Sequence, residues 1–204
     1  MTAPRPHRPA RFADLTEMID AGGGFSPSDH AEVAAATAQL VVRAGRSPGD
    51  REQFVALADE VGLDTLASLW RDCDPASLPG VLWTLYLLRQ WCRDSATDVV
   101  RLWRRGEPLA PAEAAVAGVG EFADAEAVGA FGDVVLAGVY RGDLDVALER
   151  AAAFFRVVAT GRRDLLGSTE PDPATDAATL AERNDRTAAA LAGAARQWRA
   201  GTLH

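Results

Sequence analysis

The chain has 204 residues, 48% of them hydrophobic, which fits one large domain or two small ones with a sizeable core. Its 29 acidic residues against 21 basic ones leave a net charge of -8, which excludes broad binding of nucleic acid or anionic membrane by the whole surface. Every basic residue is arginine and the only histidines are His7, His30 and His204, so the chain has no Walker A lysine, no Schiff-base amine and no Ser-Lys dyad, and no metal cluster, cofactor or catalytic residue is expected.

In chain order, MTAPRPHRPARF (residues 1–12) carries Arg5, Arg8 and Arg11 with proline and no acid, and reads as a disordered basic arm. It has no apolar run of the kind a secretory signal contains. A helical core follows over 13–160, with a short first helix over 13–20. Ser26-Pro27 opens a helix that Gly45 closes, Ser47-Pro48 opens the next, which Gly62 closes, and Asp64 caps a third reaching Asp72. SLPGVLWTLYLLRQWCRD is the most hydrophobic stretch. Val81, Leu85, Leu88 and Cys92 form one stripe and Trp83, Leu87 and Trp91 another, which predicts a helix buried on most sides near the centre of the core.

Ser95 with Asp98 reads as a capping box for a helix ending at Gly106, and EPLAP (107–111) is the best internal boundary. Helices are then expected over 111–117, 124–140 and 143–160. GRRDLLGSTEPDPA (161–174) reads as a linker, and residues 175–204 as a C-terminal helix whose stripe of Leu180, Asn184, Thr187, Leu191, Ala194 and Trp198 docks on the core or on a partner, including a second copy in a homodimer. No alternating run is bounded by hairpin turns. The expected fold is all-α, a multi-helix bundle of eight or nine helices without significant β-sheet.

Three motifs invite a functional reading. GRSPG (45–49) matches the G-x-S-x-G of hydrolases, but Pro48 has no N–H for an oxyanion hole, and Ser47 fits a helix start better than a nucleophile. LADEVGLDTLASLW (57–70) opens like a helix-turn-helix, yet its second helix offers Asp64, Thr65 and Ser68 where a DNA reader carries basic or amide side chains. Gly118-Val119-Gly120 follows a helix rather than a strand, so helix termination explains it better than a dinucleotide fingerprint. Cys73 and Cys92 are too few and too far apart for zinc and read as buried thiols. The longest apolar run, VLWTLYLL at 81–88, is too short to span a bilayer, so a cytoplasmic protein without membrane contact is expected.

One constellation remains. Arg89, Arg93, Arg101, Arg104 and Arg105 outnumber Asp94 and Asp98, with Trp91 and Trp103 among them. Arginine beside tryptophan is what interfaces favour, although arginines in a last helical turn also suit the helix dipole without any partner. The candidate interaction surface is Trp91, Arg101, Trp103, Arg104 and Arg105.

LADEVGLDTLASLW, SLPGVLWTLYLLRQWCRD and ALERAAAFFRVVATGR together resemble a group of uncharacterised actinobacterial all-helical proteins, some labelled RNA polymerase β-subunit-like. The resemblance covers roughly 50 to 163 and implies a helical domain, with no site residue to carry over. The resulting expectation is a non-catalytic cytoplasmic protein-interaction or adaptor module with an unidentified protein partner. The alternatives are a small-ligand-binding helical domain with a pocket walled by Trp83 and Tyr86, or a transcription-associated regulator binding through the basic arm.

Overall fold

The computed structural model describes residues 27–44, 62–119, 122, 124–167 and 176–204. These form eight α-helices and one 3₁₀ turn, with no strand among the described residues: α1 (Pro27–Ala44), α2 (Leu63–Ser68), α3 (Leu78–Asp94), α4 (Ala96–Gly106), the turn (Glu107–Leu109), α5 (Pro111–Ala117), α6 (Ala125–Tyr140), α7 (Leu144–Leu166) and α8 (Ala177–Arg199). The all-α reading holds. The basic arm, the helix at 13–20, GRSPG and the helix after it lie outside the described residues.

Local chemistry sets most boundaries. Ser77 accepts the Gly80 N–H and Pro79 occupies the first turn of α3, while Asp124 and Asp176 accept the Ala127 and Thr179 N–H groups to start α6 and α8. Gly118 closes α5 in the left-handed conformation, φ 71°, as a helix-terminating glycine does. Two expected caps are absent. The Ser95 hydroxyl makes no cap hydrogen bond at α4, and Asp64 lies inside the first turn of a six-residue α2, where its carboxylate accepts the Tyr86 hydroxyl at 2.8 Å.

The centre of the core is α7 rather than α3. Fourteen of its 23 residues are buried, and α4, α5, α6 and α8 all pack against it. Its alternation of alanine with Leu148, Phe154, Phe155, Val157 and Val158 lets small positions admit neighbouring helices while large ones fill the space between. Phe154 stands in an aromatic cluster with Trp91, Trp103, Phe122, Phe131 and Phe155, ring centroids 5.0–6.4 Å from its own. α3 packs mainly on α6 and α1. A buried polar link fastens α1: the Trp70 indole N–H donates to the Thr37 hydroxyl at 3.1 Å, and that hydroxyl reaches the Val33 carbonyl at 2.9 Å.

The first residues of the linker expected over 161–174 are helical. α7 continues to Leu166, with Gly161, Arg162 and Leu165 buried, because Gly161 meets α4 at a close crossing opposite Gly106. EPLAP is likewise no boundary, since the 3₁₀ turn packs on α7 and the helices on both sides of it do too.

α8 docks on α7 within the chain and runs antiparallel to it: Arg163 pairs with Asp185 near one end, and Arg199 reaches Asp145 at 2.7 Å and Glu149 at 2.6 Å near the other. Its buried face is Ala177, Ala181, Ala188, Leu191, Ala194 and Ala195, rotated from the expected stripe toward alanine. The chain then folds back, burying Leu203 and placing the His204 main-chain oxygen 2.7 Å from the Leu78 N–H at the start of α3.

Candidate functional site

α4 is strongly two-sided. Val99, Leu102, Trp103 and Gly106 recur at three and four residues and face α7, leaving Thr97, Arg101, Arg104 and Arg105 along the other side. Burial of the first stripe fixes the second on the outside.

Thr97, Val100, Arg101, Arg104 and Arg105 on α4 border an open groove of about 460 Å³, closed on the far side by Asp124 and Ala125 at the start of α6. The arginines are braced from behind. Arg104 donates to the Phe122 carbonyl at 3.4 Å, and Arg105 reaches the Asp164 carboxylate of α7 at 3.5 Å. A guanidinium has five N–H donors in a rigid fork, so one side chain serves both anchoring and recognition. Asp124 contributes one negative charge to the rim, and its carboxylate is engaged in capping α6 through the Ala127 N–H at 2.9 Å.

Of the five residues of the candidate surface, the structure brings together Arg101, Arg104 and Arg105. Trp103 is a correction: its side chain is 0% exposed, edge-on to Phe122 at 4.8 Å and stacked on Phe154 at 5.7 Å, so it belongs to the core. Trp91 is half-buried between α3 and α7, stacked on Phe155 at 6.1 Å with the Arg162 guanidinium 6.0 Å above it, and does not border the groove. Arg89 and Arg93 are accounted for structurally. Both donate to Asp133 of α6, at 2.7 and 2.9 Å, and the hydrogen bond from Arg93 holds that carboxyl below its ordinary range against the effect of burial.

Val100, Thr97, Asp124 and Ala125 were missing from the expected surface. Helical spacing from Arg101 and Arg104 leads to Thr97 and Val100, whereas the α6 residues join only through tertiary packing.

The two aromatic walls of the ligand alternative lie against each other. Trp83 and Tyr86 stack on each other, centroids 5.4 Å apart, with Arg71 5.6 Å over the Trp83 ring. The cavity beside Tyr86, walled by Trp70, Arg89 and Tyr140 among others, holds about 20 Å³, room for a water rather than for a small molecule. A second open groove of about 550 Å³ lies along the 3₁₀ turn and α5, lined by Pro108, Pro111, Ala114 and Val119 among others.

Cys92 is fully buried and its thiol is pushed up to about 12, by burial first and by Asp133 second. Cys73 is only partly buried, which departs from the expectation for it. Among the described residues no three His, Cys, Asp or Glu side chains converge as metal ligands would, and no helix is long and apolar enough to cross a membrane. No protein-family model matches the chain, and no curated protein or solved structure matches it.

Proposed function

We propose that this chain is a non-catalytic protein-interaction module that receives a protein partner in the arginine groove between α4 and the start of α6. The observation that carries this reading is the convergence of Arg101, Arg104 and Arg105 on one open groove whose wall includes the apolar Val100 and Ala125. Arginine with adjoining apolar surface is the composition that protein interfaces enrich. The free thiols Cys73 and Cys92 support a reducing compartment such as the cytoplasm.

The test replaces Arg101, Arg104 and Arg105 by alanine in the full chain and compares cross-linked partners with those of the parent protein. Loss of specific partners, with folding intact by circular dichroism, supports the reading. An unchanged set removes the groove from consideration.

A further inference from the structure

We infer that residues 201–204 form a detachable strap, which closes from the end of α8 over the start of α3 and opens without unfolding of the bundle. The turn that aims the strap is local. Gly201 takes the left-handed conformation at φ 70°, its N–H donates to the Trp198 carbonyl at 3.0 Å, and the Thr202 N–H donates to the Gln197 carbonyl at 2.9 Å. This pair of bonds reverses a chain as it leaves a helix. A Cβ added at Gly201 would meet nothing within 4 Å, so the backbone angle alone reserves the position for glycine.

What the strap closes is the first amide of α3. The leading N–H groups of a helix have no partner inside it and exchange freely unless something else pairs them. In α3 the Leu78 N–H donates to the His204 main-chain oxygen at 2.7 Å, Pro79 has no N–H, and the Gly80 N–H donates to the Ser77 hydroxyl at 3.3 Å. Leu78 is 0% exposed, so its N–H is shielded as well as paired while the strap is docked.

The hold is slight. Of the four residues only Leu203 is buried, and among the described residues the hydrogen bond to Leu78 is the one they make outside α8. One buried leucine and one hydrogen bond are of the same order as the entropy lost in ordering residues 202–204, so the closed and open strap differ little in free energy. α7, by contrast, is packed against four helices and opens only with the whole bundle. Opening presents a leucine-sized apolar socket beside the Leu78 N–H, and closing covers both.

Amide hydrogen exchange in the full chain, corrected for local sequence, reads the strap at Leu78 and the bundle at the buried Val157 of α7. In the parent, Leu78 is expected to be protected, yet to exchange roughly tenfold or more faster than Val157. Leu203→Ala is expected to bring Leu78 to roughly the rate of an unprotected amide while Val157 stays protected. Gly201→Ala strains only the turn, is expected to speed Leu78 by roughly fivefold or more, and decides the matter if Leu203→Ala does not fold. Equal rates at Leu78 and Val157 in the parent overturn the strap, because it then opens only with the bundle. So does a Leu78 without protection in the parent, or one that keeps its parental rate in either folded variant. If neither variant folds, these residues are inseparable from the core and the proposal falls as well.

Discussion

Gly106 of α4 and Gly161 of α7 face each other across a helix crossing too close for any side chain. A Cβ on Gly106 would lie 2.0 Å from the Val157 carbonyl oxygen, and one on Gly161 would lie 1.9 Å from that of Leu102. Both obstacles are backbone atoms, which do not swing aside as the end of a flexible side chain would. The crossing seats α4 on α7 with Trp103 inward, and so determines which face of α4 carries the arginines.

Gly161→Ala is therefore expected to destabilise the chain. Alanine gains about 1 kcal/mol in helix propensity over glycine, but overpacking against backbone costs roughly 3 kcal/mol, so the clash wins. Gly129→Ala in α6 is the control: nothing lies within 4 Å of an added Cβ there, and a gain of roughly 0.5–1 kcal/mol is expected. Urea denaturation of the two variants measures both signs. A Gly161→Ala protein as stable as its parent would contradict the crossing.

That glycine pair also marks the limit of the sequence. Ser77 with Pro79, Asp124, Asp176 and Gly118 announce their helix ends because capping is a local matter between neighbouring residues. GRRDLLG reads as a linker for the same local reason, since glycine is unfavourable inside a helix, whereas the role of Gly161 depends on Gly106 in another helix. Trp103 was legible and misread. The spacing of Val99, Leu102, Trp103 and Gly106 places it opposite the arginines, but its immediate neighbours suggested an interface. The groove's other wall, Asp124 and Ala125, arises from tertiary packing and left no local mark.

The two thiols should differ in reactivity. Only thiolate attacks an alkylating reagent, and Cys92, buried and pushed up to about 12, supplies almost none at pH near 8. Cys73 is also raised, by burial and then by Asp72, but it is partly exposed beside α2. Iodoacetamide followed by mass spectrometry is expected to modify Cys73 first and Cys92 only after unfolding. Equal rates in the native protein would show that the core opens around α3.

Asp133 makes stability depend on acid. Its carboxyl lies below the ordinary range, chiefly through the Arg93 hydrogen bond and also through Arg89, so its contribution is complete above about pH 4 and disappears as pH falls through the lowered folded value. The side chain is 45% exposed, and screening limits the effect to under about 1 kcal/mol. Asp133→Asn should be slightly less stable than the parent at neutral pH and converge with it in strong acid. A gap that widens toward acid would reverse the sign and exclude the pairing.

The groove itself is tested most directly by photo-cross-linking from a probe placed at Thr97, an exposed position on its wall, in the full chain. The predicted result is a discrete protein adduct that disappears when Arg101, Arg104 and Arg105 are replaced by alanine with folding intact. No adduct, or the same adducts in the folded triple variant, would contradict it.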